Sequence, residues 1–143
     1  MVRIAGVILV VAAVAACGRT SAEPLASSTV LGDFGGDQVM LRATSSGAEI
    51  QFSCMEVVVS SAIRTDASGH FTATGGRHRT GGAVPIVPEN PTPVRLDGVA
   101  YLTQGGTIQL VISDIPEEPG APIAWADSLT LVRDKRATIY LCP

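Results

Sequence analysis

Residues 37–54 constrain the fold of this chain most strongly, because apolar and polar side chains alternate there on both sides of a short turn. The apolar positions are Val39, Leu41, Ala43, Ile50, Phe52 and Cys54. A turn that contains Ser45, Ser46 and Gly47 separates the two halves. Period-2 alternation around a glycine-containing turn is typical of two antiparallel strands that each bury one face. The segment is therefore predicted to be a β-hairpin that ends in a cysteine.

The rest of the chain repeats this strand pattern and shows no apolar stripe of helical period. Residues 55–60 are interpreted as an apolar continuation or a bend, and residues 80–92 as the longest loop, because prolines argue against a paired strand there. Gly75-Gly76 predicts a bulge or a kink in its strand, and the alternation slips at Asp97-Gly98, which predicts a bulge there. The predicted strands are 39–44, 49–54, 62–65, 70–79, 94–102, 107–115, 124–132 and 137–142.

Eight such strands, joined in chain order by short turns, favour a meander. In a meander the second and eighth strands run in the same direction. Their C-terminal ends carry Cys54 and Cys142, which would lie at one rim if the sheet closed. The sequence therefore predicts an all-β fold, a small eight-stranded up-and-down antiparallel barrel with one disulfide, and an open β-sandwich is the alternative.

Residues 1–16 have the form of a secretory signal peptide, with Arg3 before an apolar run that is shorter than the roughly 20 residues of a membrane-spanning helix. The run ends in Val14-Ala15-Ala16-Cys17, which resembles the bacterial lipobox. In that motif the cysteine is acylated with fatty acids such as palmitate and becomes the new N-terminus. The alternative is an ordinary signal peptide cut near residues 20–22. We expect a lipoprotein of the bacterial cell envelope, anchored to the membrane through Cys17, in the outer membrane if the cell is Gram-negative.

Residues 17–31 are small and polar and are expected to form a flexible tether, which leaves residues 32–143 for the barrel domain. If Cys17 carries lipid, Cys54 and Cys142 remain as a pair in an oxidising compartment, so we expect a structural disulfide. A redox pair would favour C-x-x-C spacing, and a metal site would need further cysteines or histidines nearby. Neither pattern occurs, and no metal or cofactor is predicted.

The formal net charge of −3 argues against a nucleic-acid binder, because no basic face is available to neutralise phosphates. The densest basic site is Arg77-His78-Arg79, which could contact an anion, a glycan or a carboxylate of a partner protein. The alternative is a solvated strand end, which is the usual role of a short charge run. Asp114, Glu117 and Glu118 lack the glycine-punctuated spacing of a calcium loop and are expected to face solvent.

Two segments, 32–54 and 66–82, resemble a set of uncharacterised bacterial exported proteins. The shared pattern is a Gly-aromatic-Gly-Gly-acid start, a hairpin, a cysteine, Asp-x-x-Gly-x-Phe and a Gly-Gly loop. It matches Gly32, Phe34, Gly35, Gly36, Asp37, Cys54, Asp66, Gly69, Phe71, Gly81 and Gly82, with a possible extension to Cys142. The chain departs from the pattern at Phe34, where tryptophan is common, and at residues 55–57. The resemblance implies a secreted β domain and no activity.

These observations favour a lipid-anchored binding or structural module that holds an envelope protein, a glycan or, if the barrel interior has room, a small apolar ligand. An alternative is an inhibitor of envelope hydrolases, by analogy of fold with small barrel inhibitors of lysozyme, with residues 80–92 as the contact. A third hypothesis is an enzyme that uses His70 or His78. No nucleophile, metalloprotease or phosphate-loop motif occurs, so the prediction is that the protein is not an enzyme.

Overall fold

The computed structural model describes residues 23–24, 28–81, 90–102, 106–140 and 142. The predicted signal peptide, Cys17, most of residues 80–92 and the turn at 103–105 lie outside the described residues. The strands are β1 (Glu23–Pro24), β2 (Gly32–Gly35), β3 (Met40–Ala43), β4 (Ala48–Gln51), β5 (Met55–Val59), β6 (His70–Arg79), β7 (Thr92–Leu102), β8 (Thr107–Asp114) and β9 (Ala126–Arg133). Within the same ranges, no helix is long and apolar enough to span a membrane.

Strands β2 to β9 pair antiparallel in chain order, and β9 then pairs with β2, so the sheet closes. The short strand β1 adds to the end of β7, where Pro24 lies opposite Tyr101. Cys54 and Cys142 form a disulfide. The predicted eight-stranded up-and-down antiparallel barrel with one disulfide is confirmed, and the open sandwich is not the fold.

Two of the eight predicted strands are wrong, and two unpredicted segments replace them. Residues 62–65 form only an isolated bridge between Thr29 and Arg64, and residues 135–140 form no strand. Their places are taken by β2 and β5. The GDFG sequence of β2 has too many glycines to suggest a strand, and the apolar run of β5 does not alternate cleanly. The predicted number of barrel strands is therefore correct, whereas two of the predicted strand positions are wrong.

Both predicted bulges are absent, because β6 and β7 pair without interruption from His70↔Val99 to Arg77↔Thr92. Of the four residues at these two sites, Gly75 and Gly98 are explained instead by the close approach of neighbouring atoms. A Cβ atom at Gly98 would lie 2.5 Å from Cζ of Phe71 and 2.7 Å from the carbonyl oxygen of Gln109. A Cβ atom at Gly75 would likewise lie 2.5 Å from the carbonyl oxygen of Val58. These glycines let neighbouring strands and a core ring pack tightly.

We expect Gly98→Ala to lower the free energy of unfolding by about 1–3 kcal/mol, because the added methyl group overpacks the core against Phe71. Urea denaturation measures the change. The double variant Gly98→Ala/Phe71→Leu should lose less stability than the sum of the two single changes, since leucine lacks the far edge of the ring. Additive losses, or an unchanged Gly98→Ala protein, would contradict this account.

The barrel interior is filled by aliphatic side chains. Leu41, Ile50, Val57, Leu96 and Ile112 have an exposed fraction of 0%. A water-sized space beside any of these side chains would expose it, so the middle of the barrel leaves no such space next to them. A small ligand therefore has no room among these residues.

The folded part begins before Gly32, the boundary that composition suggests. Val30 has an exposed fraction of 0% and packs into the core. Its amide donates to the carbonyl oxygen of Ile63, and the amide of Thr65 donates to the carbonyl oxygen of Ser28. Residues 28–31 are thus fixed against the β5–β6 connection, which anchors the end of the predicted tether.

Candidate functional site

The seam between β2 and β9 is the shortest junction of the closed barrel. Only two residue pairs, Phe34↔Arg133 and Gly35↔Val132, join these strands. The amide of Asp134 adds one bond to the carbonyl oxygen of Asp33, at 2.9 Å. The Arg133 guanidinium also stacks over the Phe34 ring, 4.9 Å from its centre. The seam therefore depends on few contacts.

A C-terminal strap crosses from this seam towards the β4–β5 turn. After β9 the chain turns at Asp134, which has a φ of 58°, and the carbonyl oxygen of Lys135 approaches Gly35 so closely that no Cβ would fit there. At its far end, Cys142 is bonded to Cys54 and packs against Gly81. The strap, whose described residues are 135–140 and 142, thereby connects β2 to the ends of β4, β5 and β6.

A buried ion pair lies near the end of the barrel that holds the disulfide. Nε and Nη2 of Arg77 donate to the two carboxylate oxygens of Asp114, at 3.0 and 2.8 Å. The Asp114 side chain is 7% exposed and the Arg77 side chain 27%. Two parallel hydrogen bonds between a guanidinium and a carboxylate are the strongest geometry for such a pair. The charge of Arg77 is therefore largely neutralised within the fold.

Aromatic and sulfur groups cover the remaining sides of this ion pair. The Arg77 guanidinium lies 5.2 Å from the centre of the Trp125 ring, and Nη1 of Arg77 lies 3.9 Å from the sulfur of Met55. The Phe52 ring meets Trp125 edge-on, at 6.2 Å between centres. We call these five residues, Phe52, Met55, Arg77, Asp114 and Trp125, the end cluster. Because a thioether is a weak acceptor, Nη1 of Arg77 keeps hydrogen-bonding capacity for another group.

The predicted basic triplet does not form one patch. Alternation along β6 points Arg77 into the barrel, opposite Val57, whereas His78 lies on the outer face opposite Glu56. Arg79 ends the strand and is exposed. Contact of Arg77, His78 and Arg79 with an anion or a partner stays a prediction, and His78 would have to act on the opposite face of β6 from Arg77 and Arg79.

Two carboxylates meet on the outer face of β4 and β5. Glu49 on β4 and Glu56 on β5 are neighbours there. Partial burial raises the pKa of Glu56 most, the neighbouring Glu49 carboxyl group raises it further, and the charge of His78 opposes the shift. Among the described residues, no group of three potential ligands could hold a metal ion.

The raised pKa of Glu56 makes the folded state bind a proton more tightly than the unfolded chain does. This contribution to stability is full below the unfolded pKa and is lost as pH rises through the folded pKa. We expect Glu56→Gln to flatten that fall, which urea denaturation between pH 4 and 7 would measure. Glu117→Gln in the exposed β8–β9 connection matches the loss of charge. An identical pH profile for wild type and Glu56→Gln would contradict the expectation.

His70 lies in another region, an open groove of about 470 Å³ on the outside of the β6–β9 wall. Asp97 and Ser128 also line the groove. Asp97 is already bound to Thr72 and Arg95. In the part of the chain that the structure describes, neither histidine side chain hydrogen-bonds to a carboxylate or a hydroxyl group. Nothing in this geometry assembles a nucleophile and a base.

Comparison with protein-family models, curated proteins and solved structures finds no significant match to this chain.

Proposed function

We propose that this protein is a lipid-anchored module of the bacterial cell envelope that binds another envelope component on its outside. The observation that carries the proposal is the filled barrel: core side chains such as Leu41, Leu96 and Ile112 have an exposed fraction of 0%. Eight-stranded barrels that hold a ligand need an unfilled interior. Binding is therefore assigned to the outer surface.

The end cluster and the neighbouring strap are the best-supported contact surface. Trp125 and Arg77 are only partly buried, and both residue types are enriched where proteins bind partners. The exposed Tyr140 lies two residues before the disulfide-bonded Cys142. An aromatic surface with the remaining Nη1 donor of Arg77, on a crosslinked frame, suits a partner that presents a hydrogen-bond acceptor or an apolar side chain.

The lipobox-like sequence at residues 14–17 supports the anchor, since Cys17 follows directly on an apolar leader. Buried acyl chains contribute about 0.8 kcal/mol per methylene to membrane binding. Metabolic labelling with a fatty-acid analogue should mark the wild-type chain and not Cys17→Ser, and the variant should move to the soluble fraction. Labelling of Cys17→Ser, or none of the wild type, would contradict the anchor.

Site-specific photo-crosslinking of the full-length protein in its own cells tests the partner. A crosslinker at Tyr140 should trap a discrete envelope component, and one at Val111, exposed on the outer face of β8, should not. Trp125→Ala should reduce the Tyr140 product. Equal products from both positions, or none, would argue against this surface. Assaying lysozyme-type hydrolases with the same preparations tests the inhibitor alternative directly.

A further inference from the structure

Strand β9 has an open edge because its neighbour β2 is much shorter. Strand β9 has eight residues and β2 has four. The hydrogen bonds from Asp114 to the Trp125 carbonyl and from Arg133 to the Gly106 carbonyl set the alternation along β9. Odd-numbered residues of β9 therefore bond to β8, and even-numbered residues direct their backbone groups towards β2.

Of the even-numbered residues, Val132 meets Gly35 of β2, and the next bond in that direction belongs to Asp134. Strand β2 stops at Gly35, and the amide of Gly36 donates to Val39 in the turn that follows. In the described ranges, no strand pairs with Ala126, Ser128 or Thr130 on this side, and Gly36 lies against the carbonyl oxygen of Thr130, so the edge is most open at Ala126 and Ser128. Exposed backbone edges of this kind template pairing with another strand.

Asp127 occupies the middle of this edge in an unexpected orientation. It lies opposite the fully buried Ile112, so it belongs to the inward row of β9, in which Leu129 and Leu131 follow it and Arg133 ends the strand over the Phe34 ring. Its carboxylate accepts a hydrogen bond of 2.8 Å from the amide of Ser128, one of the backbone groups that point to the open edge. An acidic side chain among inward-facing apolar residues makes fewer apolar packing contacts than an aliphatic side chain would. Natural sheets use inward-pointing charges of this kind to prevent pairing at an edge.

We infer that Asp127 blocks strand pairing at the open edge of β9 and so prevents a second copy of this chain from adding a strand to the barrel. The carboxylate acts in two ways. It occupies the Ser128 amide that an incoming strand would need as a donor, and it places a charge where the neighbouring strand's side chains would have to pack. Valine at this position would remove both obstacles and place an apolar side chain in line with Leu129 and Leu131.

Sedimentation velocity of the purified full-length chain, in detergent, tests the inference. Asp127→Val should self-associate at concentrations where wild type is monomeric. Asp97→Val is the matched control, because Asp97 is an outward acidic residue on β7, which is paired along both edges. Asp127→Lys should stay monomeric, since lysine also disfavours edge pairing. A folded, monomeric Asp127→Val protein, or equal association of Asp97→Val, would overturn the inference.

Amide hydrogen exchange of the wild-type protein gives a second test that needs no variant. Ser128 and Thr130 both direct their amides to the open edge, and only the Ser128 amide has a carboxylate acceptor among the described residues. The charge-assisted bond should slow exchange at Ser128 by about tenfold relative to Thr130. Equal exchange rates at the two amides would show that the Asp127 carboxylate does not protect the backbone of this edge.

Discussion

The double variant Cys54→Ser/Cys142→Ser should unfold with a free energy about 4 kcal/mol lower than that of the wild-type protein. The bridged cysteines are 88 positions apart, and the chain-entropy model gives about this value for closing so long a loop in the unfolded state. Domains of this size are stable by only about 5–15 kcal/mol. The loss would therefore be a large share of the total stability.

Loss of the disulfide should also have a local effect, at the short seam between β2 and β9. With only two residue pairs between β2 and β9, the strap that Cys142 anchors holds Gly35 against Lys135. Without the disulfide, amide exchange should accelerate first at Gly35 and Val132, before the β6–β8 wall opens. Strands β6, β7 and β8 pair over seven or more residues, so they form the stable part of the barrel.

Urea denaturation at equilibrium measures the global effect, and hydrogen exchange measures the local one. Cys17→Ser is the matched control, because it makes the same change at a cysteine outside the bridge. A loss below 1 kcal/mol in the double variant would mean that the unfolded chain is already compact. Uniform acceleration of exchange across all strands would contradict a weak seam.

Much of the fold followed from period-2 alternation, because a barrel buries one face of every strand. The pattern placed β3, β4 and β6 to β9 within a few residues. The alternation pattern failed for segments whose strand pairing does not depend on alternating apolar and polar side chains. Strand β2 contains glycines that a neighbouring segment needs for close approach, as at Gly35 under Lys135. Residues 137–142 were predicted as a strand, yet residues 137–140 form none, and the disulfide at Cys142 and the β2 contact of Lys135 hold the ends of the strap.

The end cluster was harder to predict, because its members meet only through the register of distant strands. Arg77 and Asp114 are 37 positions apart, and local sequence makes each look like a solvated charge. A signal was nevertheless present in the alternation itself. Arg77 is in phase with the inward Phe71 and Ala73, and Asp114 is in phase with the inward Ile108 and Ile112. Two opposite charges in inward phase predict a buried pair once the strands are known to share a barrel.

Asp114→Ala should lower the free energy of unfolding by about 3 kcal/mol, near the lower end of the range for breaking a buried ion pair. The variant leaves the Arg77 guanidinium without its carboxylate beside Trp125, and the 27% exposure of Arg77 lets water offset part of the cost. Asp97→Ala removes a bridge to Arg95 whose side chains are 56% and 48% exposed. That control should cost less than about 1 kcal/mol.

The double variant Arg77→Met/Asp114→Leu separates the two reasons for which this pair could exist. Replacing a buried ion pair by apolar groups of similar volume is often neutral or stabilising, by about 1–4 kcal/mol. If the double variant is as stable as wild type but no longer forms the Tyr140 crosslink, the ion pair serves binding, because stability alone would not require it. If it is as unstable as Asp114→Ala, the pair holds the end of the barrel together.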